Sequence, residues 1–254
     1  MTMKTAIIQH DIRWNSPEEN LRELTELLDF QAGADLYVLA ETFATGFLAE
    51  GAAASSQRIL DWMRRQAARL DAAIAGSVAT FDEDGHLRNR LHFVRPDGTD
   101  EDYDKRHLFT PGGETDVYVP GNRRVITLWR GIRILQQVCY DLRFPVFSRC
   151  RGDYDAILCV ANWPASRRDV WQTLLKARAI ENQCFVIGVN RVGTDPKADY
   201  SGDSVILDPL GRPVASCTPG EVAVAAADID PADVSDIRRR FPVLADADDF
   251  LLRI

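Results

Sequence analysis

The chain has 254 residues, 46% of them hydrophobic, enough to bury a sizeable core, and no linker, low-complexity tract or repeat divides it, so one domain over residues 1–254 is expected. The 38 acidic residues against 30 basic ones leave a formal net charge of -8, which argues against nucleic acid and anionic membranes as partners, since both call for a basic face. The five cysteines are an odd number without a C-x-x-C pair, the N-terminal apolar run is too short for a signal peptide and no stretch approaches a membrane span; a cytoplasmic protein with reduced thiols is expected.

Residues 4–12 read as a strand. Ser16, Pro17, Glu18 and Glu19 form a capping-box sequence, with Leu21, Leu24, Leu27 and Leu28 continuing an apolar stripe at helical spacing until Gly33 ends it. Residues 35–40 (DLYVLA) have the apolar run of a strand buried on both faces. Glu41 follows directly. A carboxylate at a strand end stands where α/β proteins build sites, although a solvated loop acid is the plainer alternative.

A second amphipathic helix covers 55–70, and residues 73–81 and 87–95 read as a hairpin turning at Asp84 and Gly85. The segment 103–109 (YDKRHLF) precedes a Pro-Gly-Gly turn and Glu114; alone, Lys105 reads as an ordinary surface lysine and Glu114 carries no signal. Residues 125–130 and 132–138 form a further hairpin over Gly131 that delivers Cys139. Beyond it come a buried strand (155–161), a helix (170–183) that Ser166 or Asp169 can cap, a strand (184–189), a loop (190–203), a hairpin (204–207 with 214–216), a strand (222–229) and a short helix (233–240). The second half repeats the strand, helix, strand, hairpin plan of the first. Two such layers close into an α/β fold, a four-layer α-β-β-α sandwich with active residues at its strand ends.

Cys139 sits where that strand turns into a predicted helix with Pro145 in its first turn. The positive end of a helix dipole and free backbone N–H groups favour thiolate over thiol, so the position suits a nucleophile. The alternative is a small buried hydrophobe, the role read for Cys159.

Six segments then follow one another in a familiar order: LAETF (39–43) with Gly46 and Phe47, YDKRHLF (103–109), VCYDLRFP (138–145), ANWP (161–164), ARAIEN (177–182) and YSGDS (200–204). Nearly end to end, the chain resembles the nitrilase (carbon-nitrogen hydrolase) superfamily, and within it the short, free-standing ω-amidases. The resemblance implies the four-layer sandwich and hydrolysis of a small linear amide bearing a carboxylate, such as 2-oxoglutaramate or 2-oxosuccinamate, through a cysteine thioester. It assigns Cys139 as nucleophile, Glu41 as general base and acid, Lys105 and the Tyr140 backbone N–H as oxyanion donors, and Glu114 as the anchor of Lys105 or of the water. No metal or cofactor is required. A homodimer or higher homo-oligomer is implied, with the helix after Cys139, the helix ending at 177–183 and the apolar tail Phe250, Leu251 and Leu252 facing a partner.

Arg143 is the candidate for holding a substrate carboxylate, against a structural pair with Asp141 or Glu181. Phe43, Trp163 and Tyr200 are candidate pocket walls, with core packing as the simpler alternative. Three rival functions stand: a cysteine-histidine protease through His107, a non-catalytic binding protein of the same fold, and a nitrile or N-carbamoyl hydrolase using the same residues.

Overall fold

Apolar runs bounded by turn residues set the frame of the computed structural model, which describes residues 2–253. The strands in chain order are β1 (Met3–Gln9), β2 (Leu36–Val38), β3 (Ala73–Phe81), β4 (Leu87–Val94), β5 (Asp100–Asp104), β6 (Ile126–Trp129), β7 (Ile132–Val138), β8 (Ala156–Ala161), β9 (Phe185–Asn190), β10 (Val192–Thr194), β11 (Asp199–Ser201), β12 (Val205–Leu207), β13 (Pro213–Ser216) and β14 (Ala223–Ile229). One six-stranded sheet runs β14-β1-β2-β3-β4-β5 and the other β13-β12-β9-β8-β7-β6, with β10 and β11 as a separate two-stranded ribbon. In each sheet the central strands are parallel, β1-β2-β3 and β7-β8-β9. Parallel neighbours need crossovers. The first sheet uses α1 (Pro17–Phe30) and α2 (Ser56–Leu70); the second uses the short α3 (Pro145–Ser148) and then α4 (Arg168–Asn182), and α5 (Pro231–Arg240) follows β14.

Leu24, Leu28, Ile59 and Met63 from α1 and α2 bury their stripe against Ile8, Tyr37, Ile74 and Val78 on one face of the first sheet. On the opposite face the two sheets meet, with Phe93 of β4 edge-on to Trp129 of β6 at 6.3 Å and the Trp129 indole donating to the Asp35 carbonyl (2.9 Å). Below the second sheet α4 lies so near β9 that a Cβ on Gly188 would stand 2.6 Å from Leu175. These are the four expected layers. Among the described residues no helix is long and apolar enough to cross a membrane.

Several local expectations differ. Ser16 makes no cap; its hydroxyl donates to the Trp14 carbonyl (3.2 Å), and buried Asn20 fastens the helix start instead by donating to the Arg13 and Ala44 carbonyls. Neither Ser166 nor Asp169 caps α4, whose N-cap position is Arg167, whereas Asp230 caps α5 through the Ala232 N–H. The expected loop 190–203 contains β10 and β11. β5 escapes an apolar-run criterion because its sequence is DEDYD; those acids are matched across the strand by Arg90 to Asp104 (2.6 Å) and Asp102 (3.1 Å), and by Arg95 to Glu101 (2.7 Å).

Candidate active site

Glu41 lies in the turn just beyond β2, Lys105 at the end of β5, Cys139 at the end of β7, and Glu114 opens a short 3-10 turn. All four converge. The Lys105 Nζ donates to Glu41 Oε1 (2.8 Å) and to Glu114 Oε1 (3.0 Å), and all three side chains are wholly buried. Asn89 of β4 bridges the two acids, its Nδ2 donating to Glu41 Oε1 (2.8 Å) and Glu114 Oε1 (2.9 Å). Glu41 Oε2 accepts from the Asn162 N–H (2.8 Å), and the Asn162 side chain donates to the Glu41 carbonyl (2.8 Å) and Thr42 Oγ1 (2.9 Å). Glu114 Oε2 accepts from the Phe109 N–H (2.6 Å).

One ammonium between two carboxylates dictates the charge balance. Burial alone would lower the Lys105 pKa, but Glu114 and Glu41 outweigh it and hold the ammonium well above its ordinary range. Burial pushes the Glu114 carboxyl up, with Lys105 opposing and the like charge of Glu41 reinforcing it. The cluster therefore keeps one firm positive charge on Lys105, and Glu114 takes up a proton more readily than an ordinary carboxylate.

Cys139 has φ 48°, a left-handed conformation that a side chain adopts only when its surroundings hold it there. Asp141 does the holding. Its Oδ2 accepts from the Val138 N–H (2.9 Å) and the Tyr103 hydroxyl (2.8 Å), and its Oδ1 accepts from the His107 N–H (2.9 Å). The sulfur is thus set on a 3-10 turn (Cys139–Arg143), and α3 begins only at Pro145 and lasts one turn. The expectation of a helix-dipole thiolate fails for that reason: burial first, and then the Glu41 carboxylate, raise the thiol pKa well above its usual value against the opposing pull of Lys105. At neutral pH the resting sulfur is the thiol.

A cavity of about 340 Å³ opens onto Cys139, whose 9% exposure contrasts with the sealed acids behind it. Its sulfur lies 4.0 Å from the Asn162 carbonyl, and Phe47, which lines the same cavity, places its ring 5.7 Å from Lys105 Nζ. Tyr140, Arg143, Trp163 and Tyr200 all line it. The Arg143 guanidinium lies 5.2 Å over the Trp163 ring and has no carboxylate partner among the described residues. Both proposed structural partners are engaged elsewhere, Asp141 as above and Glu181 with Arg178 (2.8 Å). Phe43 is a correction: it is fully buried, packs on Trp62 at 6.0 Å in the core under α2, and does not line the cavity. His107 also stands apart from the sulfur, stacked on Phe144 at 3.8 Å with Nδ1 2.8 Å from Asp141, so no cysteine-histidine pair forms.

Asn89 and Asn162 carry no role in the sequence reading, although both touch the cluster, and Asp141, there only a possible partner of Arg143, frames the sulfur instead. Asn89 was findable. It shares strand parity with core residues Leu91 and Phe93, and an asparagine at an inward position must have buried partners.

The carbon-nitrogen hydrolase family model matches residues 4–239. The chain is 48% identical to the ω-amidase YafV of Yersinia enterocolitica, with 99% of both chains covered, and 31% identical to the 2-oxoglutaramate amidase of Bacillus subtilis, covering 97% of this chain and 98% of that one. A CN-hydrolase superfamily protein of Xanthomonas campestris, solved with an arsenic adduct in its active site, superposes with a TM-score of 0.94 at 43% identity, with 99% of each chain covered. Two facing sheets with a buried Glu, Lys and Cys at their strand ends are thus those of an enzyme of carbon-nitrogen bond hydrolysis. The chain belongs to the carbon-nitrogen hydrolase family, the nitrilase superfamily.

Proposed function

We propose that the protein is an ω-amidase that hydrolyses a small linear amide carrying a carboxylate, such as 2-oxoglutaramate or 2-oxosuccinamate, to the acid and ammonia. The observation that carries this reading is Arg143, a cation without an acid partner among the described residues, in the cavity of a cysteine backed by two buried carboxylates and an ammonium. The likeness to an ω-amidase and a 2-oxoglutaramate amidase supports it.

Glu41 Oε1 already accepts two hydrogen bonds, whereas Oε2 accepts one and keeps a lone pair, so Oε2 is the atom that takes the Cys139 proton. As the sulfur bonds to the amide carbon, negative charge gathers on its oxygen. Lys105, with one of its three N–H donors left over, and the Tyr140 backbone N–H receive that charge, about 3 kcal/mol for each donor. Glu41 returns the proton to the departing nitrogen as ammonia leaves, and the thioester remains. Glu41 then deprotonates the attacking water and the thiol is restored. Glu114 holds Lys105 in line, and no step requires a metal or cofactor.

Residues 1–254 form one carbon-nitrogen hydrolase domain in this reading, acting in the cytoplasm as a homodimer or larger homo-oligomer. Exposed Val146 on α3 and Ile180 on α4 offer apolar surface on the faces assigned to the partner. Assayed for ammonia against ω-amides of short carboxylic acids, the matching nitriles and N-carbamoyl compounds, the enzyme is expected to turn over the amides by far the fastest. Turnover of nitriles but not amides overturns the assignment.

A further inference from the structure

The cavity wall carries three cationic side chains, Arg143, Arg167 and Lys197, and one carboxylate, Asp195. Asp195 is already engaged: its Oδ2 accepts from the Tyr200 hydroxyl (2.6 Å) and its Oδ1 from the N–H groups of Lys197 (2.7 Å) and Ala198 (2.9 Å), which leaves one lone pair on Oδ2. It is a turn-forming acid with little left for a ligand. The Arg167 guanidinium lies 5.2 Å over the Phe109 ring, as Arg143 lies over Trp163, and like Arg143 it has no acid partner among the described residues. In a chain with 38 acids and 30 bases, two half-buried arginines that face one cavity with no acid paired to either leave positive charge for an anionic or strongly dipolar ligand to balance.

One carboxylate occupies one guanidinium. We infer that Arg167 is a second specificity-determining residue, which receives the 2-oxo oxygen beside the carboxylate held by Arg143, and so selects 2-oxo-acid amides over the corresponding 2-amino-acid amides. This rests on the ω-amidase reading. A carbonyl oxygen at the second carbon accepts from Arg167 with its full donor fork. An ammonium at the same carbon adds a positive charge to three others, against the single negative charge of Asp195 on the cavity wall. Discrimination between the oxo acid and the amino acid then follows from charge, without a steric filter.

The test compares 2-oxoglutaramate, glutaramate (which lacks the oxo group), L-glutamine and neutral butyramide, with wild type, Arg167→Gln and Arg167→Lys. For Arg167→Gln the ratio of kcat/KM for 2-oxoglutaramate to that for glutaramate is expected to fall about tenfold, mainly through KM, the loss of a charge-assisted hydrogen bond. The preference for 2-oxoglutaramate over L-glutamine falls with it, and Arg167→Lys, which keeps the charge, restores part of both ratios. An equal loss on 2-oxoglutaramate, glutaramate and butyramide, or no change in the first ratio, overturns the inference. Absence of ammonia release by wild type from every carboxylate-bearing amide is a different failure, that of the ω-amidase reading itself.

Discussion

Replacing Cys139 by alanine is expected to lower amide turnover about 10^5-fold or more, to a level set by the remaining donors and binding contacts alone. The magnitude follows from the site's division of labour. Glu41, Lys105 and Glu114 are sealed, and the sulfur is the one of these four groups that meets the cavity. None of the other three can form the covalent bond in its place. Alanine suffers the same backbone strain at φ 48° as cysteine and gives up one sulfur in a tight turn, so the urea midpoint should shift by no more than about 1–2 kcal/mol equivalent. Ammonia release measured beside a urea melt separates lost chemistry from lost fold. Turnover within tenfold of wild type would remove Cys139 from the mechanism.

Lys105→Met should damage both activity and fold. The substitution leaves Glu41 and Glu114 facing each other in a sealed site without their counter-charge, and breaking a buried ion pair by removing one partner costs about 3–5 kcal/mol. The pair can relieve this only by taking up a proton, and Glu114, already pushed upward, is where it goes. Turnover should fall about 10^2- to 10^3-fold from loss of the oxyanion donor, and further if Glu41 shifts. Adding Glu114→Gln to Lys105→Met should recover much of the stability and none of the rate, measured by urea denaturation and ammonia release. A single variant as stable as wild type would contradict the charge balance described for the cluster.

Much of this site was legible along the chain because each residue stands at the end of an element with a clear pattern. Glu41 follows an apolar run that is buried throughout, and Cys139 ends a strand in the register of its parallel neighbour β8. Lys105 was visible only through its motif, since the edge strand that delivers it is written almost entirely in acids and its pairing depends on arginines elsewhere. The thiol's protonation state was not legible. A helix start lowers a thiol pKa, but burial and an opposing carboxylate 98 positions earlier in the sequence reverse the sign, and neither shows in local sequence. Phe43 failed similarly: adjacency to a motif glutamate does not say which way a ring points, and this one points into the α2 packing.

The central claim is that the Cys139 sulfur becomes acylated. It is tested most directly by acid-quenching the wild-type enzyme during turnover of 2-oxoglutaramate and measuring intact mass, followed by peptide mapping. The account predicts an adduct of the acyl mass on Cys139 that forms and decays at least as fast as turnover, and no such adduct on the Cys139→Ala variant. An acyl group on any other residue, or none on Cys139 while the alanine variant still releases ammonia, would contradict it.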